Sequence, residues 1–103
     1  MNTLIEAHRS ELEQLCQRYH VQRLELFGSA ATGEFKPETS DIDFLVEFVP
    51  DHEMGPWLAE YFDLKDALER LFGHKVDLVM IGGLRNPYFI EQINQSRKLL
   101  YVA

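Results

Sequence analysis

Apolar residues in the first part of the chain recur at helical spacing. Leu12, Leu15, Cys16 and Tyr19 form a stripe that Ile5 and His8 extend backwards, which predicts one amphipathic helix over residues 3–19. Thr3 and Glu6 have the spacing of a capping box at its start. The period then shortens. Leu24-Glu25-Leu26-Phe27 alternates as a strand does, predicting a strand over residues 22–27, and Ala30-Ala31-Thr32-Gly33 follows as one helical turn. Residues 42–49 are apolar on both faces in their middle, the mark of a central strand. A turn-rich break over residues 50–56 precedes Trp57, Tyr61, Leu64, Leu68 and Leu71, which predict a second long helix stopping at Gly73. Val76-Asp77-Leu78-Val79-Met80 predicts a third strand, with Asp77 and Val79 on one face and Val76 and Leu78 on the other. After a Gly82-Gly83 loop, Asn86-Pro87 supplies the cap and first-turn proline of a helix carrying Phe89, Ile90 and Ile93, and residues 98–102 predict a short closing strand.

This order predicts an α/β (α+β) fold: a small mixed sheet with helices packed mainly on one face, two of them long, and the aspartates on the other. A length of 103 residues suits one domain, 1–103, with a real core. Ten Lys and Arg against seventeen Asp and Glu leave a net charge of −7, which argues against non-specific nucleic-acid binding. Met1-Asn2-Thr3 runs straight into a polar amphipathic segment, and no apolar run reaches membrane-spanning length, so the expectation is a soluble cytoplasmic protein without membrane contact. Cys16 is the sole cysteine and falls on the apolar stripe, a core position. His8, His20, His52 and His74 lack the spacing of a zinc site and are expected on the surface or in loops.

The candidate chemistry lies in Gly28-Ser29, Asp41-Ile42-Asp43 and Asp77. In a strand, alternate residues share a face, so Asp41 and Asp43 point the same way while Ile42 points into the core. Taken alone the pair is a weak signal, because aspartates also open strands and cap turns. Asp77 changes that, since an acid in so apolar a strand is costly unless solvated or bound. Paired carboxylates suit magnesium, which takes oxygen ligands and keeps waters and substrate phosphates in its remaining positions. Gly28-Ser29 supplies the complementary half, a strand-to-helix turn whose backbone N–H groups face an anion, with the glycine allowing close approach and the serine adding a hydroxyl donor.

With LFGSAATG as nucleotide loop, SDIDFLVEF as metal strand, VDLVM as third-carboxylate strand and LRNPYFIEQI as closing helix, the chain resembles the minimal nucleotidyltransferase (MNT) domains of the DNA polymerase β-like superfamily over nearly its whole length. The resemblance implies that Asp41, Asp43 and Asp77 are catalytic and bind two Mg2+ ions, that Gly28 and Ser29 bind the nucleotide, and that Asp77 helps activate the acceptor. Two positions depart from the family pattern. Residues 30–40 make eleven between the motifs where the family commonly has one fewer, and Thr32 stands where it commonly has arginine. Lys36 can replace that arginine only as a flexible point charge. Arg85 could contact a phosphate or an acidic partner, with a solvated loop arginine as the default, and Lys36 and Lys75 carry the same ambiguity.

What the resemblance implies about function is transfer of a nucleoside monophosphate, AMP from ATP, to an acceptor hydroxyl. A chain this short has no residues for a separate acceptor domain. MNT proteins of this kind typically pair with a HEPN-domain toxin, so the resemblance implies an antitoxin that nucleotidylates its partner. Two other readings remain open: a catalytically idle module that neutralises the partner by occlusion, and an antibiotic nucleotidyltransferase acting as a homodimer or other homo-oligomer.

Overall fold

The computed structural model describes residues 3–33, 41–50, 58–80 and 85–103. Trp57, Lys36, the Thr3 side chain, the lengthened loop around residues 35–37, His52 and Gly82-Gly83 lie outside the described residues. The elements run α1 (Thr3–Ala7), α2 (Arg9–Arg18), β1 (Val21–Phe27), α3 (Ser29–Thr32), β2 (Ile42–Phe48), α4 (Ala59–Phe72), β3 (Val76–Met80), α5 (Pro87–Ser96) and β4 (Lys98–Val102). The four strands form one mixed sheet in the order β3-β2-β1-β4. β1 is antiparallel to both β2 and β4, whereas β2 and β3 run parallel.

β2 is central, as its doubly apolar middle predicts, and Phe44, Leu45 and Val46 are all buried. Alternation divides the sheet into two faces. One face presents Leu24, Leu26, Ile42, Phe44, Val46, Val76 and Leu78 to the main core, which Ile5, Leu12 and Cys16 complete from α1 and α2, and Leu64, Leu68 and Phe72 from α4. Each such aliphatic or aromatic side chain contributes about 1.5–3 kcal/mol through burial. Phe72 lay beyond the predicted stripe; it stacks on Phe44 with ring centroids 6.0 Å apart. Burial and the nearby Glu13 push the Cys16 thiol up to about 12, which leaves it an inert core residue.

The predicted first helix is broken at His8. Its backbone leaves helical geometry at φ −116 and ψ 21, its N–H reaches only Ile5 O (3.1 Å), and its ring meets the edge of Phe72 at 5.7 Å. The ring contact with Phe72 is a tertiary feature that periodicity alone does not register.

The second face carries Phe27, Asp43, Leu45, Asp77 and Val79. α5 packs here, since Ile93 joins Phe27, Leu45 and Val79 in a second apolar cluster. Its start follows the sequence signal, with Asn86 Oδ1 accepting from Tyr88 N at 3.0 Å and Pro87 in the first turn. Helices therefore sit mainly on one face, as expected, but the last one shares a face with the acids. Among the described residues, no helix is long and apolar enough to cross a membrane.

Candidate active site

β1 ends at Phe27, and the chain turns through Gly28 with φ 72 and ψ −153, backbone geometry open essentially to glycine alone. Gly28 O then accepts from Ala31 N (3.1 Å) and Thr32 N (3.2 Å), closing the short helix α3. Ala30 and Ala31 are buried and fasten that helix to the sheet, while Gly33 ends it in the left-handed region at φ 85. Ser29 stays partly accessible at the opening of α3, where helical geometry leaves the first N–H groups without an intrahelical acceptor.

Register brings the acids to this turn. Asp43 stands opposite Phe27 across the antiparallel β1–β2 pair and opposite Asp77 across the parallel β2–β3 pair. It is thus flanked by the glycine turn on one side and by the third carboxylate on the other. Asp41 precedes β2 and is exposed, Asp77 is exposed, and Asp43 is half-buried. The β2–β3 spacing is fixed from below by Ile42 N donating to Lys75 O (3.0 Å) and Val76 N donating to Glu69 Oε2 (3.0 Å). Tyr61 Oη donates to Leu78 O beside Asp77 (2.5 Å), and burial together with Asp77 raises the phenol above its ordinary range.

Gly28 and Asp43 are in direct apposition. A Cβ on Gly28 would lie 2.4 Å from Asp43 Oδ2 and 3.3 Å from its Cγ. The carboxylate beside it is thus one reason for glycine here, together with the positive φ. Its N–H is also committed, donating to Ser96 Oγ at the end of α5 (3.0 Å), so the anion-facing donors left in the turn are those of Ser29 and Ala30.

Burial, then Asp77, then Asp41 raise the Asp43 carboxyl from its ordinary value to about 6. Three carboxylates in mutual electrostatic reach form a site that a cation relieves. Among the described residues, no three acidic, histidine or cysteine side chains close into a metal cage by themselves. An all-oxygen donor set that leaves ligand positions open fits magnesium held through one or two carboxylates with substrate phosphate and water.

Sequence reading missed Ser96 and also Glu25. Glu25 is only 2% exposed, on the acid-bearing face, and is held by Arg23 Nε (2.9 Å) and Arg97 Nε (2.8 Å). The available signal was a carboxylate inside an otherwise apolar strand, which needs a cationic partner if buried. Lys75 and Arg85 are exposed, as expected. Thr32 is exposed and donates weakly to Ser29 O (3.4 Å).

The model of the nucleotidyltransferase domain family matches residues 8–100. The chain belongs to that family. It is therefore a nucleotidyltransferase. Protein adenylyltransferase MntA of Thermococcus cleftensis is 38% identical over 86 residues, covering 84% of this chain and 79% of that protein. A solved structure provisionally described as a minimal nucleotidyltransferase superposes with a TM-score of 0.74 at 37% identity, covering 95% of each chain. At 19% identity, an MNT antitoxin solved in complex with a tri-AMPylated Shewanella oneidensis HEPN toxin shares the fold, with a TM-score of 0.65 over 95% of this chain and 72% of that one.

Two predictions follow from the geometry. Gly28→Ala is expected to destabilise by about 3 kcal/mol, combining a strained backbone with overlap on Asp43. Gly33→Ala has positive φ but nothing within 4 Å of the added Cβ, and is expected to cost about 1 kcal/mol; urea unfolding of the two variants separates strain from overlap. Asp43→Asn is expected to stabilise the chain at pH 7. The folded carboxyl, raised to about 6, lies above its unfolded value of about 3.9. Its favourable contribution is full below that unfolded value and is lost as pH rises through about 6. Discounted for the solvent that reaches Asp43, the gain at pH 7 is about 1 kcal/mol, vanishing near pH 4, as denaturant midpoints at the two pH values will read.

Proposed function

We propose that this nucleotidyltransferase transfers AMP from ATP, with Mg2+, to a side-chain hydroxyl of a partner protein, and that the partner is a HEPN-type toxin for which this chain is the antitoxin. The observation that carries the proposal is the apposition of the Gly28 turn and Asp43, with Asp77 beside them on the next strand. Donor-phosphate groups and carboxylates are the two halves a nucleotidyl-transfer site needs, and they meet here within one strand spacing. The protein adenylyltransferase name of the Thermococcus relative supports adenylate as the group moved. The AMPylated HEPN complex of the Shewanella protein supports the class of acceptor.

In this reading Ser29 and the first N–H groups of α3 hold the donor phosphates, and Gly28 keeps that turn against Asp43. Asp41, Asp43 and Asp77 are the residues that would hold Mg2+. Two bound ions would supply charge stabilisation to the attacking and leaving oxygens of an in-line displacement. Asp77, exposed on β3, takes the proton from the acceptor hydroxyl. The hydroxyl oxygen bonds to the α-phosphorus of ATP, the bond from that phosphorus to the β-phosphate's bridging oxygen breaks, and pyrophosphate leaves. The acceptor comes from another chain; among the described residues, α5 is the helix packed on the acid-bearing face.

Exposed Tyr88 and Phe89 at the start of α5 lie beside this face, Phe89 meeting Phe27 edge-on at 6.3 Å. They give the partner an apolar surface to cover. The test is to co-express the candidate partner with wild-type chain and with an Asp41→Asn, Asp43→Asn double variant, then weigh the intact partner. A gain of one or more AMP units with wild type alone is expected. Equal neutralisation by both chains with no mass change would replace catalysis by occlusion.

A further inference from the structure

The helix that closes the acid-bearing face is held by few apolar contacts. Ile93 is the only buried residue of α5. Polar groups fasten its C-terminal end instead. Arg97, immediately after the helix, reaches Glu25 in β1 through Nε at 2.8 Å and Nη2 at 2.5 Å, and its Nη1 returns to Asn94 Oδ1 at 2.8 Å. One residue earlier, Ser96 Oγ accepts the Gly28 N–H at 3.0 Å across a separation of 68 residues. These two contacts do different things. The arginine docks the helix, whereas the serine holds a single backbone group in the turn that presses on Asp43.

Gly28 is the residue whose placement decides the spacing between the turn and the carboxylates. Its carbonyl is committed to Ala31 and Thr32 within α3. With the carbonyl fixed, the peptide plane on its N-terminal side is oriented by whatever accepts the N–H, and that acceptor is Ser96. Rotation of that plane would swing the Gly28 Cα relative to Asp43 Oδ2, where a Cβ would stand only 2.4 Å away. Glycine itself fits there, so the turn backs directly onto the Asp43 side chain. We infer that Ser96 is a positioning residue for nucleotidyl transfer, its hydroxyl fixing the Gly28 turn against Asp43 and so setting the distance between the phosphate-facing donors of α3 and the carboxylates.

The inference rests on the reading of this face as the nucleotidyl-transfer site, and its test has a first arm independent of that reading. Amide hydrogen exchange of the chain without nucleotide or metal is measured for wild type, Ser96→Ala and Ser96→Thr. Alanine is expected to lower protection of the Gly28 amide at least tenfold relative to its neighbours in β1, and threonine, which keeps a hydroxyl at the same carbon, to restore it to within threefold. The second arm measures ATP-dependent nucleotidylation of the partner, well below each variant's melting temperature. Ser96→Ala is expected to lower kcat about tenfold with KM for ATP changed less than threefold, because the donor groups remain but stand off their productive distance; Ser96→Thr should recover most of the rate.

Wild-type protection at Gly28 in the alanine variant overturns the inference. Lost protection with kcat within twofold of wild type also overturns it, leaving Ser96 a purely structural contact. A wild-type chain that transfers nothing to its partner overturns the transfer role through failure of the underlying reading, and is told apart because the exchange arm still reports the hold on Gly28.

Discussion

The closest constraint in this fold is the contact between the backbone of Gly28 and the carboxylate of Asp43. β1 and β2 pair as far as Phe27 and Asp43, so a Cβ at position 28 would meet the Asp43 carboxylate and push it aside. Everything at the site takes its position from that contact. α3 starts where it does because Gly28 turns the chain in a conformation other residues reach only with strain. Asp77 stands beside Asp43 because the parallel β2–β3 pair aligns them, with Glu69 and the Lys75 carbonyl fixing the start of the ladder. The resulting crowding of acids is unfavourable in the free chain. Asp43 is held partly out of water between two like charges, a local destabilisation that a bound cation converts into affinity.

The two faces of the sheet are built on different principles. The face toward α1, α2 and α4 is a continuous apolar core, and it carries the stability. The face toward α5 has a small apolar cluster around Ile93 and depends on polar anchors: Glu25 between Arg23 and Arg97, and Ser96 on Gly28. Such anchors are directional, and they specify where the helix end sits more than how firmly it is held. A site that must keep backbone donors and carboxylates at fixed separations is served by directional contacts. Tyr88 and Phe89 are exposed at the start of α5, beside this face.

Legibility in the sequence followed the range of the interactions. Strand β3 and the cap of α5 were readable because alternation, Asn86 and Pro87 act locally. β2 was readable as central because burial on both faces leaves a doubly apolar run. The acids were readable as candidates through their motifs and the family resemblance, but the register that sets Asp43 opposite Asp77 is a tertiary pairing that the spacing does not encode. Glu25 was readable only as a carboxylate in an apolar strand, because a period-two pattern does not separate it from a solvent-facing residue and its partner Arg97 lies 72 positions away. The Ser96 contact is hidden for the same reason. The first helix is interrupted at His8, whose ring meets Phe72, another tertiary contact that helical periodicity does not encode. Glycine at position 28 was read as giving access to a phosphate, and the sheet register adds a second reason, the Asp43 side chain beside it.

The central claim is that the Gly28 turn and the three aspartates form one cation-nucleotide site. Paramagnetic relaxation by Mn2+ tests it most directly. With ATP present and Mn2+ at substoichiometric levels, the backbone signals of residues 27–29, 42–44 and 76–78 are expected to broaden first and together, and Asp43→Asn should abolish that selectivity. Broadening confined to other acidic surfaces, such as α2 or α4, or uniform broadening across the chain, would contradict the account.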